Sequence, residues 1–125
     1  MKKLSIAFGS VLILTFALVS GIWAEEIYPD QFGVGSNVYH KIFENERTRV
    51  SEITFQPGEQ IGMHTHAYDH FVYVLEAGQL TLKHPDGTSS VVDGTVGQVM
   101  WIPKESHSAV NTGTTPFRAL VVELK

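Results

Sequence analysis

From Val38 onward the chain breaks into short apolar runs. Turn residues interrupt these runs every eight to twelve positions, and no window carries the 3.6-residue period of an amphipathic helix. The runs are Val38–Glu44, Arg49–Phe55, Ile61–His66, Phe71–Leu75, Gln79–His84, Ser89–Val92, Val99–Ile102, His107–Asn111 and Phe117–Leu124. Val, Ile, Thr, Tyr and Phe fill them, and these side chains suit a pleated, half-buried surface. Asn45-Glu46, Gln56-Pro57-Gly58-Glu59, Ala77-Gly78, Pro85-Asp86-Gly87-Thr88, Asp93-Gly94 and Thr112-Gly113-Thr114 separate them. Many short strands at this spacing predict an all-β sandwich or barrel. The glycines at 58, 78, 94 and 97 are expected to serve turns that need a positive φ.

With 125 residues the chain is the size of one domain. Its start, MKKLSIAFGSVLILTFALVSGIWAEE, sets Lys2 and Lys3 before an apolar stretch from Leu4 to Val19, then small residues before Glu25 and Glu26. This pattern predicts a secretory signal peptide over residues 1–24, cleaved after Ala24, and hence export to the periplasm or the medium. An uncleaved N-terminal anchor is the alternative reading, since the apolar run is nearly long enough to span a bilayer. The expected organisation is thus a signal peptide over 1–24, an irregular segment over 25–37 with Pro29, Gly33 and Gly35, and a β domain over 38–125. Removing the signal leaves seven basic residues against thirteen acidic ones, a net charge near −6. No basic stripe exists for nucleic acid to follow. Cysteine is absent, so an exported domain of this kind must be stable without disulfides, and thiolate drops out as ligand or nucleophile.

Three of the six histidines fall in MHTHAYDH, residues 63–70. On a strand, His64 and His66 share a face, close enough to chelate one ion. A bend or bulge over Ala67-Tyr68-Asp69 would return His70 to that face, and His107 stands on a separate predicted strand. On these residues alone, a metal site and a solvated histidine pair are both open. His40, in an alternating run, and His84, beside a turn, read as surface residues. Glu76 reads as solvated and Asn111 as the end of a strand. Arg47, Arg49 and Arg118 read as surface charge, with contact to an anionic substrate as the alternative. No nucleophile elbow, phosphate loop or pair of carboxylates at catalytic spacing is present.

Two longer patterns surround these histidines: GEQIGMHTHAYDHFVYVLEAG from Gly58 to Gly78, and GQVMWIPKESHSAVN from Gly97 to Asn111. In this order, with a β-rich segment between them, they resemble the two motifs of the small single-domain cupins, over roughly Arg49 to Leu124. The resemblance implies an antiparallel jelly-roll barrel of six to eight strands with a divalent transition metal inside, whether Fe, Mn, Ni, Cu or Zn. His64, His66 and His107 match three ligand positions of that family, and His70 sits at the fourth, where a glutamate is usual. Asp69 is the alternative ligand there. Glu105 replaces the usual glycine of the second motif, which is also one residue short, so the turn before His107 is expected to differ. The family's histidine-rich members imply dioxygenase-like chemistry on small enolic, diketone or phenolic compounds, or an isomerase or lyase. Tyr73, Met100, Trp101 and Phe117 are candidates to line the pocket, and Glu105 or Asp69 to act as base. A non-catalytic protein holding a metal or small ligand is the second reading, and a barrel with no metal the third. Pairing into a homodimer is also implied by resemblance.

Overall fold

The computed structural model describes residues 27–125. The segment read as a signal peptide lies outside the described residues. Among the described residues, nine antiparallel strands follow one helical turn: α1 (Gln31–Val34), β1 (Tyr39–Glu44), β2 (Thr48–Phe55), β3 (Gln60–His66), β4 (His70–Glu76), β5 (Gly78–Lys83), β6 (Ser89–Gly94), β7 (Val99–Ile102), β8 (Glu105–Asn111) and β9 (Phe117–Leu124). The stretch expected to be irregular thus contains α1, whose first turn is capped by Asp30 accepting from the Phe32 N–H at 2.9 Å.

The strands form two sheets, ordered β1-β2-β9-β4-β7 and β3-β8-β5-β6, that face each other as a jelly-roll sandwich. Their inner faces hold the core: Ile53, Phe55, Ile61, Val72, Val74, Leu80, Leu82, Ala109, Phe117, Ala119 and Val121. Alternation along each strand decides who points inward. On β9, Phe117, Ala119, Val121 and Glu123 are buried, with partly exposed residues between them.

One break in that alternation places the histidines. Ile61 pairs with Ala109 and His64 with His107, so three steps along β3 match two along β8. This bulge at Gly62 and Met63 reverses the parity, and Ile61 and His64 both face inward. Gly58 and Gly97 adopt positive φ as expected, but Gly78 and Gly94 do not. Their role is space. A Cβ on Gly94 would stand 2.6 Å from the Phe117 ring, and one on Gly78 would stand 3.0 Å from the Phe117 Cβ.

Candidate metal centre

Three strands bring the four histidines of the sequence reading into one end of the sandwich. His64 and His66 come from β3, His70 opens β4, and His107 is the direct cross-strand partner of His64 on β8. All four are at most 5% exposed. Buried imidazoles at such density are expensive unless each nitrogen is satisfied, and their partners fix which nitrogen carries the hydrogen. His64 Nδ1 lies 2.9 Å from the Gly62 carbonyl oxygen, an acceptor, so Nδ1–H donates to it and Nε2 keeps its lone pair. His107 Nδ1 donates to Glu105 Oε1 at 2.7 Å, again leaving Nε2 free. His66 Nδ1 faces Glu123 Oε1 at 3.5 Å, and its Nε2 turns to the His64 Nε2 at 3.2 Å. Ligand atoms of His64, His66 and His107 all lie within 4.8 Å of one another.

His70 is not brought into that set. Its ring stacks on His66 with centroids 4.3 Å apart, and its Nδ1 donates to the Tyr68 carbonyl at 3.1 Å. Asp69, the alternative ligand, is exposed, and its Oδ1 accepts the Lys104 N–H at 2.9 Å. That contact helps shape the turn between Pro103 and β8, the place where the second motif is a residue short. Asp69 turns outward because His70, its neighbour on β4, faces in. Glu105 is engaged as the partner of His107.

The carboxylate that reaches the site from within is Glu123, absent from the sequence reading. It is fully buried and receives the Gln31 amide at 2.9 and 3.0 Å, Arg49 Nη2 at 2.9 Å and Arg49 Nε. Arg49 also meets Asp30 at 3.1 Å, so it is committed to this network and is not a free surface charge. Arg47 is exposed, and Arg118 pairs with Glu76 at 2.9 Å. Glu123 was signalled by the inward parity of β9, and Gln31 by nothing in the strand pattern. Tyr39, also missed, is the one buried residue of β1. Its hydroxyl stands 3.3 Å from His66 Nε2.

The electrostatics follow from burial. Burial, together with the nearby His107 and His66, pushes His64 down to about 4 against the pull of the Gly62 carbonyl. Burial and the adjacent His66 likewise push His70 down to about 4, and burial lowers His107 in spite of Glu105. These imidazoles are therefore neutral near pH 7, the state a metal requires. Burial alone would raise Glu123, but His66, Arg49 and Gln31 overcome it and hold the carboxyl down to about 2. Burial and the Glu123 charge raise the Tyr39 phenol.

This donor set fits a metal. With hydrogens on both Nδ1 atoms, the Nε2 lone pairs of His64 and His66 face each other at 3.2 Å with no hydrogen between them. A cation relieves that repulsion. Two nitrogens bound tetrahedrally to one ion at about 2.0–2.1 Å stand about 3.3–3.4 Å apart, close to the separation seen. The engaged Nδ1 atoms are the outer partners that orient metal-binding imidazoles.

An apolar cavity of about 50 Å³ adjoins the cluster, walled by Val72, Leu82, Met100 and Ile102 beside Tyr39, His66, His70 and His107. A groove of about 360 Å³ at the rim runs past Thr65, His66, Ala67, Lys104, Glu105 and Ser106. Of the expected pocket residues, Met100 and Phe117 line the cavity. Tyr73 and Trp101 do not. They are 39% and 58% exposed, because they occupy the outward positions between His70, Val72 and Val74 on β4 and between Met100 and Ile102 on β7. His40 is exposed, and His84 sits by the β5–β6 turn against Ser90 at 3.1 Å. At the end of β8 the Asn111 side-chain amide donates to the Phe55 and Thr115 carbonyls, and its Oδ1 accepts the Gly113 N–H.

No curated protein matches the chain. Solved structures do. A cupin domain from Bordetella pertussis is 27% identical over 82% of this chain and 99% of its own, with a TM-score of 0.65. The polyketide cyclase RemF from Streptomyces resistomycificus is 28% identical over 69% of this chain and 63% of its own, with a TM-score of 0.54. A cupin 2 conserved barrel domain protein from Leptotrichia buccalis, at 24% identity and a TM-score of 0.55, shares the fold. The model of the cupin domain family matches residues 51–123, a span that runs from the inward face of β2 through every histidine of the cluster to Glu123; the chain belongs to the cupin family.

Proposed function

We propose that this cupin is a metal-dependent enzyme acting on a small enolic or phenolic compound. The observation that carries the reading is the convergence of three buried imidazoles, each with its outer nitrogen facing an acceptor, beside an apolar cavity that His66 and His107 help to line. His64, His66 and His107 would hold the ion. A divalent ion there supplies Lewis acidity or dioxygen chemistry toward a chelating oxygen substrate. The chain supplies the rest. Glu123 orients His66 and places a negative charge behind it. Glu105 does the same for His107. Val72, Leu82, Met100 and Ile102 exclude water from the adjoining space. His70, neutral and outside the ligand set, forms a polar wall of the cavity. The likeness to RemF, a polyketide cyclase, supports the enzyme reading. Export by the N-terminal segment and pairing into a homodimer belong to the same proposal.

One observation favours a second reading. The inner cavity is far smaller than the roughly 300–1,000 Å³ usual for ligand pockets, which suits a protein that binds a metal or a very small ligand without catalysis. Metal analysis of protein taken from its own compartment addresses both. One transition-metal ion per chain is expected in the wild type and less than about a tenth of that in His64→Ala. A metal-free wild type refutes the shared premise. Turnover in oxygen-uptake, isomerase and lyase assays separates enzyme from binder, and no turnover by the loaded protein in any of them would leave the binder.

A further inference from the structure

The Tyr39 hydroxyl is nearly buried, and its single hydrogen bond in the site runs to His66 Nε2 at 3.3 Å. With Nδ1 of His66 turned to the Glu123 carboxylate, Nε2 is the acceptor and Tyr39 the donor. That same nitrogen is the one that an ion at the His64, His66 and His107 cluster would take. Once its lone pair is committed, the phenol loses its acceptor in a place where an unpaired hydroxyl is costly. Tyr39 also lines the cavity beside His66, His70 and His107, with ring edges toward both His64 and His66 at centroid distances of 6.1 Å. Glu123 is already engaged by Arg49 and Gln31, and His70 spends its Nδ1–H on the Tyr68 carbonyl.

We propose that Tyr39 is a ligand-binding residue, its O–H released from His66 by the ion and donated to a small oxygen-bearing ligand that shares the site. The proposal rests on the metal reading above. It gives the site a directional donor beside the apolar walls of Val72, Leu82, Met100 and Ile102, and so a preference for ligands that present an anionic or enolic oxygen.

The test uses full-length protein loaded with Co²⁺, whose visible absorption reports its ligands, and formate as the probe. Tyr39→Phe should bind Co²⁺ within about threefold of wild type and bind formate about tenfold more weakly, the loss of one hydrogen bond to a charged acceptor. Equal formate affinity in the two proteins overturns the proposal. So does a tyrosinate charge-transfer band in Fe³⁺-loaded wild type that vanishes in Tyr39→Phe, which would make Tyr39 a metal ligand. A wild type that takes up no Co²⁺ sinks the metal reading, and this proposal with it. Should Tyr39→Phe not fold, Zn²⁺-loaded wild type carrying ¹³C-labelled tyrosine gives the same answer: formate should shift the Tyr39 Cζ resonance, and an unmoved resonance refutes the contact.

Discussion

The interior of this sandwich has two ends built by the same strands and filled with opposite chemistry. On β9 the inward row runs Phe117, Ala119, Val121 and then Glu123. On β4 it runs Val74, Val72 and then His70, on β8 Ala109 and then His107, and on β2 Phe55, Ile53 and then Ser51. The antiparallel register brings the histidines and Glu123 together, with His70 opposite Glu123 and His64 opposite His107, while Ser51 sits one layer short, opposite Val121. One end is ordinary close-packed core, where burial of apolar surface stabilises the fold. The other end buries four imidazoles, a carboxylate and an amide, which costs desolvation that hydrogen bonds only partly offset. Stability and chemistry are therefore divided along the strand direction, and each end can be perturbed with different consequences.

The largest effect is expected at the apolar end. Phe117 is 1% exposed and fills the space that Gly78 and Gly94 leave open. Phe117→Ala should cost about 3–5 kcal/mol in urea denaturation while the folded fraction keeps its metal stoichiometry. Loss of metal from a well-folded Phe117→Ala protein would break the division between the ends. At the polar end, Glu123→Gln keeps the shape and removes the charge behind His66. Ion affinity should fall about 10–100-fold by chelator competition, about 1.4–2.8 kcal/mol. An unchanged affinity would mean that Glu123 serves only Arg49 and Gln31.

The last perturbation is of pH, and its effect is spread over several groups rather than placed at one. His64 and His70 are held near 4 in the folded protein, below the ordinary histidine value near 6.5. The unfolded chain therefore binds more protons between these values, and the metal-free protein should lose stability as pH falls from about 6.5 toward 4. Glu123, held at about 2, adds a further loss below the ordinary carboxylate range, from about 4.5 downward. Thermal melts of metal-free protein across pH 3–8 check this, and a flat profile between 6.5 and 4 would place the histidines in water.

Much of this was legible in the chain. The nine strands follow the runs of branched and aromatic residues, because such runs have one pleated face to bury and turn residues end them. The pairing of His64 with His66 follows from the two-residue period. Tyr73 and Trp101 lie outside because strand parity, not aromatic type, decides which side chains face the pocket. Glu123 was readable from the alternation Phe117, Ala119, Val121, Glu123, yet an acid near a chain end reads as solvated until its partners are known. Arg49 and Gln31 are those partners, 74 and 92 residues away in sequence, and no local pattern links them to it.

The sequence by itself determined the all-β class, the strand order along the chain and the histidines available to a metal, since these depend on side-chain type and short-range period. Tertiary structure decided which of them meet. The bulge at Gly62 and Met63 turned His64 and His66 inward, the β3–β8 register set His107 against His64, and stacking on His66 held His70 apart from the three. Each of these depends on one strand's position against another, and that is fixed by the packing of the whole sandwich.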